Sequence, residues 1–193
     1  MECLMGLVGK DFVITVTDTM AIRSITVLKH DEDKTRELNP HTLISYCGEA
    51  GDTTNFAEYV QKNVKLYGIR NNIELTPGAT ANFVRRELAD SLRTRSAYQV
   101  NLLVSGYDHK KGPCLYWIDH LSALAQVPFA AHGYCAYYCI SLMDRHYHPD
   151  ISLDEAMGLI RQCLEELHRR FIINMPRFVA KVVDKDGIRV IDL

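Results

Sequence analysis

Among the residues whose chemistry could carry a function, Asp18 stands apart. It closes the run F-V-I-T-V-T-D at residues 12–18, in which Phe12, Ile14 and Val16 alternate strictly with Val13, Thr15 and Thr17. A carboxylate is thus delivered to the end of a strand that reads as core. Such a group stays charged only if it is paired or hydrogen-bonded, and buried acids of this kind mark candidate sites. The other chemically capable groups read as less than a site. His146-Tyr147-His148 with His120 or His132 has the composition of a metal cluster, but the first pair lacks the i, i+4 spacing of helical ligands and no carboxylate or cysteine completes a set. Surface or interface histidines are the expected outcome, and no metal is predicted. Ser105-Gly106-Tyr107-Asp108 lacks the G-x-S-x-G frame of a hydrolase elbow, and no glycine-rich phosphate loop is present, so no nucleotide or other cofactor is expected. Lys110-Lys111, beside His109, reads as a solvated hairpin tip. The six cysteines, Cys3, Cys47, Cys114, Cys135, Cys139 and Cys163, lie in apolar runs without a C-x-x-C pair, which predicts reduced core thiols and a reducing compartment.

Composition narrows the class further. With 22 basic and 24 acidic side chains the net charge is −2, and nothing in that balance favours nucleic acid or an anionic membrane as a partner. No segment approaches the roughly 20 apolar residues of a membrane span, and Met1 leads directly into Glu2 and strand pattern instead of a basic targeting region. An intracellular, soluble protein is expected. At 193 residues, the chain from 1 to 193 reads as one domain, long enough to bury about 70% of its unfolded surface.

The elements that must position Asp18 come in blocks. Residues 3–9, the turn Lys10-Asp11 and residues 12–18 predict a hairpin. Both of its faces are apolar or threonine, which places it inside a layered structure. A second pair of strands is predicted at 25–28 and 42–47, with Lys34 to Leu38 between them and Asn39-Pro40 as a turn. Phe56, Val60, Val64 and Tyr67 then recur at helical spacing until Gly68. Thr76-Pro77 starts a second helix with the stripe Ala79, Phe83, Leu88 and Leu92, ending near Arg95. Strands return at 98–107 and 114–119 around the tip 108–113, followed by a short strand at 123–127. Residues 134–147 are apolar nearly all round and predict a helix buried on most sides. Ser152-Leu-Asp-Glu155 opens a further helix with a capping box and the stripe Leu153, Met157, Ile160, Leu164 and Leu167. A last strand at 178–184, the turn 185–187 and an extended piece at 188–193 end the chain. Strands, two helices, strands, two helices and strands in this order imply two mainly antiparallel sheets with helix pairs outside, an α+β fold built as a four-layer αββα sandwich.

Within that frame, L-x-G-L-x-G-x-D-F-V-I-x-x-x-D, D-x-D-K-T-R-E-L-N-P-H, G-E-A-G-D-x-x-x-F-A-E-Y, V-N-L-L-V-x-G-Y-D and A-H-G-Y resemble a proteasome β subunit over the whole chain. The likeness is greatest to the non-catalytic subunit at the fourth position of the β ring. The resemblance implies the N-terminal nucleophile hydrolase fold and a place in a 20S core of stacked seven-membered rings in the cytoplasm and nucleus. The partners it implies are the other α and β subunits and, indirectly, assembly chaperones and the regulatory particle. The implied work is to complete the ring and support ATP- and ubiquitin-dependent protein degradation by active neighbours.

Active members of that family cut peptides with the hydroxyl of an N-terminal threonine, exposed when a propeptide is removed, while the free α-amine acts as base. A hydroxyl without such a base is a weak nucleophile. Asp18 and Lys34 match the family's aspartate and lysine, and that register puts Glu2 in the nucleophile slot. Only Met1 precedes Glu2, so no propeptide is expected. Ala131-His132-Gly133 stands where active subunits carry glycine-serine-glycine, and Phe171 and Asn174 stand against their aspartate and serine. The resemblance therefore implies that the fold is kept and no residue is catalytic. Asp18 and Lys34 remain as a vestigial charged pair that should be buried; with Asp31, Glu32 and Asp33 nearby, an exposed pair of little energetic weight is the alternative. The rival reading is a self-assembling peptidase using Cys3 after trimming of Met1 and Glu2. Against it, Cys3 is one residue out of register, alternation turns its side chain to the other face, and Glu2 protects Met1 from removal. A free-standing structural domain is a third reading, which the apolar run around Tyr134 disfavours. Tyr134, Tyr137, Tyr138 and Trp117 are the candidate interface aromatics.

Overall fold

The computed structural model describes residues 2–193. The first hairpin forms as its alternation dictates: β1 (Cys3–Val8) pairs antiparallel with β2 (Phe12–Asp18), placing Leu4 opposite Thr17 and Val8 opposite Val13. A small ribbon of β3 (Ala21–Arg23) and β4 (Thr26–Lys29) follows. Then come β5 (Thr35–Asn39), β6 (Thr42–Gly48), α1 (Ala50–Asn71), α2 (Pro77–Ser91), β7 (Val100–Asp108), β8 (Gly112–Ile118), β9 (Leu124–Gln126) and β10 (Phe129–Gly133). The chain ends with α3 (Ala136–His146), α4 (Leu153–Arg170), β11 (Phe178–Asp184) and β12 (Gly187–Ile191).

Two five-stranded antiparallel sheets result, in the orders β10-β1-β2-β11-β12 and β5-β6-β7-β8-β9. Three apolar clusters show how they stack. The helix-facing side of the first sheet, including Met5, Ile14, Val16, Ala180 and Val182, buries against α3 and α4 through Cys139, Met143, Ile160 and Leu167. The second sheet does the same with α1 and α2, where Ile44, Leu102 and Val104 meet Phe56, Val60, Val84 and Leu88. Between the sheets lie Leu4, Val13, Leu43, Leu103, Leu115 and Val183. Period-two alternation sends consecutive residues to opposite faces, so Leu4 enters the inter-sheet layer while Cys3 and Met5 face the helices. The αββα sandwich expected from the element order is the architecture observed.

Several boundaries differ from the sequence reading, each for a physical reason. The segment 34–38 is not a connection: Thr35–Asn39 is an edge strand paired with β6, with Leu38 turned into the helix-side core. Strand 26–29 therefore pairs with β3 and not with β6. β10 is too short and too poor in β-branched residues to show a pattern, yet it pairs along the whole of β1. Gly68 does not stop α1; Asn72 does, in the left-handed conformation with φ 51°, its N–H donating to the Gly68 carbonyl. Tyr67 is consequently exposed, and the buried face of α1 runs through Thr53, Phe56, Ala57, Val60 and Val64. In α2 the N-cap Thr76 accepts from the Ala79 N–H, and Leu88 of the expected stripe is buried, but its companions on the buried face are Pro77, Thr80, Ala81 and Val84 instead of Ala79, Phe83 and Leu92, and the helix ends at Ser91. α4 has the expected capping box, while Leu153 of its expected stripe is only half-buried.

The largest departure is α3. Only Cys139 and Met143 are buried in it, while Tyr137 is 82% exposed and Ile140 lies open to solvent. Ala136, Tyr138 and Leu142 pack partly against the same core, while the apolar side chains of Tyr137 and Ile140 are left bare.

Candidate functional site

The site grows from the end of β2. Asp18 is fully buried, and every oxygen of its carboxylate is engaged. Oδ1 accepts the Cys3 N–H at 2.8 Å, and Oδ2 accepts the Met20 N–H at 3.1 Å and the Lys34 ammonium at 2.7 Å. Lys34, immediately before β5, is likewise buried. Its ammonium has three protons and three acceptors: Asp18, the Met20 carbonyl at 2.8 Å and Glu2 Oε1 at 3.2 Å. The second oxygen of Glu2 accepts the Gly48 N–H at 2.6 Å. The three residues singled out from the sequence, Glu2, Asp18 and Lys34, therefore form one connected network, and the exposed-pair alternative is not what the structure holds.

Backbone geometry positions this network from the ends of the strands. Gly48 closes β6 with φ 143°, and a side chain there would overlap the Gln99 carbonyl, so only glycine offers its N–H at that point. Gly133 closes β10 with φ 77°, where a Cβ would overlap the Glu2 carbonyl oxygen. Tyr134 donates its N–H to that same carbonyl at 3.3 Å. Glu2 is thus held by its backbone on one side and by its carboxylate on the other. None of these backbone donors was singled out from the sequence; Gly48, closing a strand directly before a helix, is the one position whose residue type hints at the role.

What the arrangement can do chemically follows from what stands next to Lys34. That group is a carboxylate, which the lysine and an amide stabilise as an anion, and among the described residues no hydroxyl or thiol joins the network. The Cys3 thiol lies instead in the apolar cluster facing α3 and α4, 1% exposed. Burial pushes its pKa well above the ordinary thiol value, which removes the thiolate that nucleophilic attack needs. Only the Cys3 backbone N–H reaches Asp18.

The remaining sequence candidates are placed elsewhere. His132 is buried, donates Nε2–H to the Leu102 carbonyl at 3.0 Å and stacks on Trp117 with ring centroids 4.9 Å apart. Burial pushes its imidazole down to about 4, so it is neutral at physiological pH. Phe171 ends α4 and stacks on Tyr134 at 5.6 Å, and Asn174 is exposed in the loop before β11. His120 pairs with Asn101, and no group of three metal-ligating side chains occurs among the described residues. All six cysteines are free and buried. Of the candidate interface aromatics, Trp117 and Tyr138 are partly buried, on His132 and Phe171 respectively, while Tyr134 and Tyr137 are exposed, Tyr137 the more so.

One ion pair, between a buried lysine and an exposed aspartate, is not visible in the sequence. Lys181 in β11 donates to Asp33 Oδ2 at 2.9 Å and to Thr35 Oγ1 at 2.6 Å, across 148 and 146 residues of chain. Thr35 in turn donates to Asp33 Oδ1. This accounts for the acidic residue next to Lys34. Asp33 turns to Lys181, leaving Lys34 to Asp18 and Glu2.

The helix–sheet–sheet–helix layering, with an aspartate and a lysine gathered beneath the start of β1, is the N-terminal nucleophile hydrolase fold. The sequence profile of the proteasome subunit family matches residues 2–183. The chain is 51% identical to a probable proteasome subunit beta type-4 of Schizosaccharomyces pombe, with all of both chains covered. It is 48% identical to proteasome subunit beta type-4 of Saccharomyces cerevisiae, covering 100% of this chain and 98% of the relative. To proteasome subunit beta type-2-A of Arabidopsis thaliana it is 49% identical, covering 98% and 92%. The chain belongs to the proteasome subunit family, among its β subunits. Membership carries with it assembly with other proteasome subunits.

Proposed function

We propose that the chain is a non-catalytic, structural β subunit of the 20S core, at the fourth position of a seven-membered β ring. The observation that carries this reading is the Glu2 carboxylate lodged between Lys34 and the Gly48 N–H, where the family's chemistry requires a hydroxyl. A carboxylate held as an anion by an ammonium and an amide cannot act as an N-terminal alcohol nucleophile. Asp18 and Lys34 are retained in this reading for their electrostatic and structural work, since removing one member of a buried pair strands the other's charge. The 1–193 unit acts as one domain, in the cytoplasm and nucleus, among α and β subunits, with assembly chaperones and the regulatory particle as indirect partners. It supports ubiquitin-dependent degradation carried out by its neighbours.

The test is an electrophilic peptide probe that captures N-terminal nucleophiles, applied to the purified particle. Labelling of other β subunits with none on this chain is expected. Adduct formation at Cys3 of this chain would overturn the reading in favour of the cysteine peptidase.

A further inference from the structure

We infer that the Lys34 ammonium and the Gly48 N–H constitute a carboxylate-binding site whose resident ligand is the chain's own Glu2, strapping the N-terminal segment across the ends of β6 and β10. The inference rests on the reading that Glu2 is retained in the mature chain. Two donors from different elements converge on the two oxygens of one carboxylate, at 3.2 Å from Lys34 and 2.6 Å from Gly48. The lysine is already committed to Asp18 and the Met20 carbonyl, so its third proton is fixed in direction and the site is preorganised. Gly48 is constrained by its positive φ and by the Gln99 carbonyl, so its N–H is equally fixed. The backbone of Glu2 is pinned separately, by the Tyr134 N–H and by the missing side chain of Gly133. A ligand tethered at both ends closes the site to any other anion.

The chemistry defines what could replace it. Glu2→Ala deletes one methylene carbon and the carboxylate, leaving room for a group of the size and charge of acetate. A small monocarboxylate is therefore the class of ligand the vacated site takes, drawn by a charged donor and an amide together.

The test is amide exchange read by mass spectrometry on the peptide containing Gly48, in the assembled particle. In Glu2→Ala the Gly48 N–H loses a charge-assisted bond, and its exchange is expected to quicken by about tenfold. Acetate should restore the protection where chloride at equal ionic strength does not, and the wild-type particle should ignore both. Glu2→Gln, which offers Gly48 an oxygen but gives Lys34 no charge, should exchange at an intermediate rate without responding to acetate; this second variant serves if Glu2→Ala fails to assemble. Exchange equal to wild type in either variant, or Glu2→Ala exchange that acetate leaves unchanged, would overturn the site. A negative result on a particle whose chain retains Glu2 refutes the strap alone, whereas a chain found to begin at Cys3 refutes the non-catalytic reading with it.

Discussion

The network around Lys34 is held by opposite charges whose partners are all inside the protein. Lys34→Ala leaves Asp18 with two backbone N–H donors and no cation in a fully buried position. A loss of about 3–5 kcal/mol is expected for breaking such a pair, read as a lowered unfolding midpoint or as failure of the subunit to enter particles; an unchanged midpoint would contradict the burial argument. His132 gives a second prediction at this scale. Its folded imidazole titrates at about 4 because burial disfavours the charged form, while an unfolded histidine titrates near 6.5. The unfolded state therefore binds a proton that the native state refuses, and this group's contribution to stability falls as pH drops from about 6.5 to about 4, then levels off. The loss amounts to about 3 kcal/mol. His132→Gln, which can still donate to Leu102, should show a correspondingly shallower acid limb in pH-dependent denaturation, and parallel limbs would rule the effect out. Asp18 was legible in the sequence because strict alternation announced its strand and a charge at its end is conspicuous. Lys181 was not, because its partners lie nearly 150 residues away and a lysine in a strand of seven residues looks like a solvent-facing position.

At the scale of elements, the first hairpin, the capped α4 and strand 178–184 were readable because local chemistry decides them. Ser152 accepts from Glu155 N–H while Glu155 accepts from the Ser152 N–H. Ser152→Ala should accordingly cost about 1 kcal/mol, measurable by chemical denaturation, and no loss would show that tertiary packing alone holds that helix start. The edge strands β5 and β10 were not readable, since their sequences carry little alternation and their pairing is dictated by partners. The burial of α3 was misread for a different reason. Apolarity on nearly all sides predicts burial, but the chain's own core covers one side of α3 and leaves Tyr137 and Ile140 exposed; in the proposed assembly that face is available to a neighbouring subunit. Tyr137→Ser should therefore leave the stability of the isolated chain within about 0.5 kcal/mol while weakening incorporation into particles; a large loss of intrinsic stability with normal incorporation would contradict this division.

For the whole molecule, the alternating blocks of strands and helices made the αββα sandwich legible because each face must be covered by something. The long motifs made the family legible. What no periodicity could supply is the proposed absence of catalysis, which rests on a single register between the start of β1 and the Asp18–Lys34 pair. Here the central claim can be tested in one experiment: native mass spectrometry of the particle from its own cells, with this subunit ejected, weighed and fragmented. The account predicts a complex of many different subunits and an ejected chain that still carries Glu2 ahead of Cys3. A mature chain beginning at Cys3, its amine free beside Asp18, would contradict it and bring back the cysteine peptidase reading.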